Sequence, residues 1–240
     1  MSSKKKILTI IIISLIVIAV AAITIKLVGD LNKETTLKNE VKEISKFMNI
    51  NQNENDEINE ILTRREITKG KYKNIENDIK QYYQVIYSDL QNFSFLIDND
   101  NFNIYLSSEN LNEDKPSFIK SKDNLQNTKA QIDEYYNKLI KELNDESIKL
   151  SFITEDRLDS YYRNFYLELT SLAISDNLKK ELDTAYEEVL SKIEIYNEAL
   201  DFLVANKGHW AIKNNVIIFD DTILYEGYLE ITNKLEVSEN

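Results

Sequence analysis

The sequence predicts a mainly all-α protein: an N-terminal transmembrane helix, then an antiparallel bundle of long helices, with one small β-hairpin near the C-terminus. Three observations carry this. Residues 7–25, ILTIIIISLIVIAVAAITI, hold no charge. As a helix rising about 1.5 Å per residue they cover roughly 28 Å, close to the roughly 30 Å hydrocarbon core of a bilayer. Beyond them, apolar residues recur every three to four positions over long stretches, and one Pro and four Gly in 240 residues leave few breaks.

Charge orients the anchor. Lys4, Lys5 and Lys6 precede the apolar run, and Lys26 with the mixed segment GDLNKETTLKNEVKE follows it, so residues 1–6 are expected to stay in the cytoplasm. An alternative is a cleaved leader, since Ala19-Val20-Ala21 is a small-apolar-small triplet. Ile23, Ile25, Leu27 and Val28 continue the run past that site, as a stop-transfer helix does. Either way the remaining domain lies outside the cytoplasm. The expected organisation is a basic tail over 1–6, a membrane anchor over 7–28, a helical stalk over 29–48 and an extracytoplasmic bundle over 49–240, with the hairpin at about 209–219.

Four of the 29 basic residues and none of the 41 acidic ones precede residue 30, so the rest carries a net charge of −16. That charge repels nucleic acid and anionic lipid. The absence of cysteine removes disulfides, thiolate metal sites and cysteine nucleophiles.

Taken in order, Leu37, Val41, Ile44 and Met48 extend the anchor as an amphipathic stalk that needs a partner helix. NINQNEND, 49–56, reads as a loop. Ile58 to Ile97 reads as two helices meeting near 68–71, or one kinked helix, with Arg65 and Thr68 at positions where the stripe wants apolar groups. A connection follows, with one short helical turn over Phe102 to Ser107. Asp114 and Pro116 suit the start of a helix carrying Phe118, Leu125, Ile132, Leu139 and Leu143 and ending near Asn144. Ile148 to Ile153 is apolar but of undecided type. Leu158, Tyr161, Tyr162, Phe165 and Leu169 fit a helix starting near Thr154, and Asp176 opens a long one that stops at Gly208. HWAI and VIIF around Lys213-Asn214-Asn215 read as a hairpin, and Asp220 or Asp221 caps a closing helix.

Candidate chemistry is sparse. Asp98, Asp100 and Glu109 fall where a calcium loop places its first, third and twelfth ligands, but Phe102 and Asn103 break the pattern, and a polar turn explains it as well. Arg64 and Arg65, in a chain of four arginines, offer planar forks for a carboxylate or phosphate. The plainer account is pairing with nearby acids, Arg65 being expected buried. Tyr162 and Tyr166 share an aromatic helix with Tyr161 and Phe165, which suits either core packing or a protein or carbohydrate contact. The single His209 has no Cys, His or converging carboxylates beside it. A P-loop, a nucleophile elbow and a zinc signature are missing. The chain is therefore expected to be no enzyme and to take no cofactor.

The segments FLVANKGHWAIKNNVIIF and LDSYYRNFYLELTSL resemble an uncharacterised family of single-pass membrane-anchored helical proteins of low-GC Gram-positive bacteria. The resemblance transfers no site residues. The expected function is a binding or scaffold role in the cell envelope, with the bilayer as one partner and another envelope protein, or further copies of the chain, as the other. The alternative is an extracytoplasmic sensory or small-ligand or metal-binding module that signals through a membrane partner.

Overall fold

A computed structural model describes residues 3–48, 56–97, 100–155, 158–172, 174 and 176–237, and no side chains for 3–17, 100, 101, 176, 236 and 237. Helix dominates, as the repeating apolar stripes require. In order the elements are α1 (Ser3–Ser45), α2 (Asp56–Thr63), α3 (Lys71–Ile97), a 3-10 helix (Asp100–Leu106), α4 (Ser108–Asp114), α5 (Ile119–Asn144), α6 (Glu146–Ser151), α7 (Ser160–Leu172) and α8 (Asp176–Ala205). The chain ends with β1 (Trp210–Lys213), β2 (Val216–Phe219) and α9 (Thr222–Val237). The expected 49–56 loop lies, for 49–55, outside the described residues. Among the described residues no helix is long and apolar enough to cross a membrane, and of the expected span over 7–28 the side chains of 7–17 lie outside them.

Two compact units emerge. The first comprises Met1–Phe47, Asp56–Tyr83 and Lys149–Ala173. Leu37, Val41 and Ile44 of α1, spaced four and three apart, are fully buried, and α1 packs on α2 and α7. The stripe that needed a partner thus has two. Ile58 and Leu62 of α2, Tyr72, Ile75, Ile79, Tyr82 and Tyr83 of α3, and Phe165, Tyr166 and Leu169 of α7 complete this core. Its buried hydroxyls are satisfied, Tyr83 donating to the Leu169 carbonyl at 2.6 Å and Tyr166 to that of Lys149 at 2.9 Å.

α2 and α3 are separate helices, which decides between the two readings of 58–97. Gly70 sits at φ +65° between them, in the left-handed region that favours glycine. The apolar segment 148–153 falls largely in α6, and the helix expected from Thr154 begins only at Ser160. Thr154 is engaged elsewhere: its hydroxyl donates to Asp78 Oδ1 on α3 at 2.8 Å.

The second unit comprises Met48–Asn55, Gln84–Ile148 and Ile174–Asn240. α5 and α8 pack together, joined by Lys122–Asp201, Tyr136–Asp183, Tyr186–Asp133 and Lys179–Asn144. Partner numbers fall along one helix as they rise along the other, so the two run antiparallel. Midway, the rings of Tyr136 and Tyr186 stack at 3.9 Å and 6° while each hydroxyl donates 2.8 Å to an aspartate on the other's helix. Burial first, then Asp183, pushes the Tyr136 phenol up to about 12. α9 packs on α8 through Phe202 and Tyr228 and through Lys234 and Glu198.

Asp114 does cap α5, from further back than expected. The helix starts at Ile119, and the carboxylate at the end of α4 accepts the N–H groups of Lys120 and Ser121 at 3.2 and 2.7 Å. The hairpin turns on Asn214 and Asn215, at φ +53° and +62°, the conformation a two-residue type I′ turn requires. Trp210 anchors it, its indole N–H donating to the Leu203 carbonyl at 2.8 Å and its ring stacking on Phe118 at 6.1 Å. Asp221, rather than Asp220, caps α9, accepting the Ile223 N–H at 2.7 Å.

Because nothing lies within 4 Å of a methyl group added at Gly70, Gly70→Ala tests backbone conformation alone. It is expected to destabilise the first unit by about 1 kcal/mol, read as a lower urea midpoint by circular dichroism.

Candidate functional site

Two places in the first unit gather chemistry. One is a buried ion cluster. Tyr72, Glu76 and Lys80 lie four residues apart on α3, so the charged pair shares the buried face of the helix. Glu76 is 0% and Lys80 4% exposed, and Glu40 of α1 is 4% exposed. Lys80 Nζ lies 2.9 Å from Glu76 Oε1, 3.2 Å from Glu40 Oε1 and 3.2 Å from the Arg64 carbonyl. Arg64, at the end of α2, adds Nε and Nη2, each 3.1 Å from Glu40 Oε1.

Glu76 also organises the loop before α3. It accepts the Thr68 hydroxyl at 2.7 Å, the Thr68 N–H at 2.9 Å and the Ile67 N–H at 2.9 Å. Burial alone would raise its pKa, but the hydrogen bonds from Lys80, Thr68 and Ile67 hold it below the usual carboxylate range. A carboxylate so occupied is a structural pin and no general base.

The other place is a cavity of about 500 Å³ among α1, the start of α3 and the start of α7. Ile23, Leu27 and Leu31 form its apolar side, and Tyr72, Tyr161 and Tyr162 its aromatic side. Tyr72 and Tyr161 both donate to Glu34 Oε1, Tyr72 at 2.8 Å. Tyr162 stands edge-on to both rings, with centroids at 5.2 and 5.3 Å. Lys33 lies 5.3 Å over Tyr72 and Lys71 5.0 Å over Tyr162. Burial, then the bond to Glu34, raises the Tyr72 phenol, and for Tyr161 the bond to Glu34 leads. Both hydroxyls therefore remain protonated donors.

The second unit holds a buried carboxylate pair. Lys138 Nζ on α5 lies 2.9 and 2.8 Å from the two oxygens of Asp89 and 3.9 Å from Glu142 Oε1. Asp89 and Glu142 are 5% and 6% exposed. Burial, then the charge of and hydrogen bond to Asp89, pushes Glu142 up to about 7. Glu194, Glu198 and Glu230 separately line a groove of about 670 Å³ along α8 and α9.

The residues singled out from sequence fare unequally. Arg64 pairs with Glu40 and Glu43. Arg65 is exposed, which corrects its expected burial: the chain has left α2 by then, and Thr68 takes the buried place. Tyr162 lines the cavity. Tyr166 is 0% exposed and its hydroxyl donates to the Lys149 carbonyl, which makes it a core residue unable to make a surface contact. Asp98 lies outside the described residues. Asp100 opens the 3-10 helix, and Glu109 is exposed on α4, its carboxylate 3.2 Å from the Ser108 hydroxyl. Among the described residues no three His, Cys, Asp or Glu side chains are placed to hold a metal ion. His209 pairs with Asp220 at 3.3 Å, both exposed. Glu34, Glu40, Glu76 and Lys80 went unread in the sequence. The one available signal was the four-residue spacing of Glu76 and Lys80 from Tyr72.

No family model matches the chain, and no curated protein and no solved structure is significantly similar to it.

Glu76→Gln keeps the shape of the pin and removes its charge, leaving Lys80 less well compensated. A loss of about 3 kcal/mol is expected in equilibrium unfolding. Glu142, whose folded pKa lies above its ordinary 4.5, binds its proton more tightly when folded. Its contribution is complete below about pH 4.5 and is lost as pH rises through about 7, worth up to ~3 kcal/mol. Urea titrations between pH 4 and 8 should show that fall, and Glu142→Gln should flatten it.

Proposed function

We propose that the chain is a membrane-anchored helical protein of the cell envelope. Residues 7–28 span the bilayer, residues 1–6 face the cytoplasm, and the rest faces outward. Its work is binding, to another envelope protein or to its own copies, without catalysis. One observation carries the anchoring: Ile18, Val20, Ile23, Ile25, Leu27, Val28 and Leu31 of α1 are 51–74% exposed. They continue a stretch, 7–17, that carries no charge in sequence, and the charge-free run ends only at Lys26. A helix apolar all round needs an apolar surrounding, and leaving it in water costs about 25 cal/mol per Å². Lys4, Lys5 and Lys6 support the orientation.

The binding role is supported by how the buried charges are spent. Glu40, Glu76 and Asp89 are held in ion pairs with Lys80, Arg64 or Lys138, and none faces a cavity as a free acid or base. The acidic groove along α8 and α9 suits a partner with basic side chains. The tyrosine cavity favours a second reading, an extracytoplasmic module that holds a small ligand and signals through a membrane partner.

Protease added to intact cells expressing the full chain should degrade everything beyond the anchor, and in-cell crosslinking should recover one reproducible protein partner or a dimer of the chain. Resistance until lysis would reverse the topology, and crosslinking that captures neither would sink the binding role.

A further inference from the structure

The cavity of the first unit combines three features that rarely meet by accident of packing. Its aromatic side is three tyrosines, the ring of Tyr162 standing nearly perpendicular to those of Tyr72 and Tyr161, so that π-faces are turned in more than one direction. Glu34, Asp30 and Asp159 put three carboxylates on its lining against the single ammonium of Lys26. Its remaining side belongs to the exposed apolar part of α1. Ring faces attract cations through their negative quadrupole, most of all weakly hydrated ammonium groups, and adjacent carboxylates add to the attraction.

The chain uses this affinity on itself. Lys33 and Lys71 each stand over a ring of the cluster while pairing with Asp30 and Asp159 at 3.1 and 3.5 Å. Among the described residues no cation stands over Tyr161, which is 55% exposed and whose hydroxyl is tied to Glu34. That bond fixes the ring at the mouth of a space large enough for an alkylammonium group.

We propose that this cavity binds an alkylammonium cation, with Tyr161 supplying the ring face and Glu34 the countercharge. Two sources share that chemistry, the amine headgroup of a zwitterionic lipid and a soluble amine. The headgroup source rests on the membrane anchoring proposed above, since Ile23 and Leu27 then bring the bilayer surface to the cavity. The cation site itself does not.

The test uses the full chain in dodecyl maltoside micelles, titrated with tetramethylammonium chloride against equal sodium chloride, with tyrosine resonances or fluorescence as the readout. Saturable binding that sodium does not reproduce is expected, weakened about tenfold by Glu34→Gln and by Tyr161→Leu, with far-UV dichroism confirming both folds. No saturation beyond the sodium control, or affinity unchanged in both variants, overturns the proposal. Adding phosphatidylethanolamine to the micelles leaves their net charge unchanged, so a fall in apparent tetramethylammonium affinity identifies the headgroup as occupant, and an unchanged affinity identifies a soluble amine. Carbonate extraction of the same protein reports anchoring separately. Extraction of an otherwise cation-binding chain defeats the membrane reading alone, and retention without cation binding defeats the site alone.

Discussion

The carboxylate of Glu76 is the point on which the first unit turns. It is wholly buried, and a buried charge is tolerable only when its lone pairs are filled and its charge is met. Lys80 meets the charge, and the backbone of Ile67 and Thr68 fills the lone pairs. The loop between α2 and α3 has its shape because those N–H groups must reach that carboxylate. Lys80 in turn holds Glu40, so the same small network fastens α1 to α3. Greasy packing of Leu37, Val41 and Ile44 supplies most of the drive toward association of these helices. The ion network decides which arrangement that packing takes, because sliding the helices by one turn would strand charges in the core.

The stripes at three- and four-residue spacing revealed α5, α8 and α9 with their ends nearly right, since Asn144, Gly208 and Asp221 each act at a terminus through local chemistry. The hairpin was equally plain, because two asparagines with positive φ leave little alternative to a tight turn. What stayed hidden depends on contacts far apart in sequence. Arg65 sits on the stripe by spacing but lies beyond the end of α2 at Thr63, and nothing nearby in sequence announces that Glu76 will take the N–H groups of Ile67 and Thr68. Asp78 likewise engages Thr154 from 76 positions away, delaying α7 to Ser160. The cavity was half legible: Tyr161 and Tyr162 stood out in the aromatic cluster of α7, whereas Tyr72 of α3 read as one more stripe residue and Glu34, which accepts the hydroxyls of Tyr72 and Tyr161, looked like any acid on a solvated face.

Both units place their buried acids differently, and the difference is instructive. Glu76 has enough donors to remain charged in the interior. Glu142 faces another carboxylate, Asp89, with one lysine between two acids, so part of the compensation must come from a proton. The first arrangement holds over the whole physiological range. The second responds to acidity near neutrality.

α1 runs from Ser3 to Ser45 without interruption, and Gly29 lies within it at ordinary helical geometry. Having no joint, the helix cannot spin freely about its own axis. Turning its exposed apolar portion by a quarter revolution would swing Leu37, Val41 and Ile44 out of the interior together. The azimuth of every residue between Ile18 and Leu31 is therefore indexed to the folded core, much as the bit of a key is indexed to its bow. Torque applied at one end of α1 is delivered at the other.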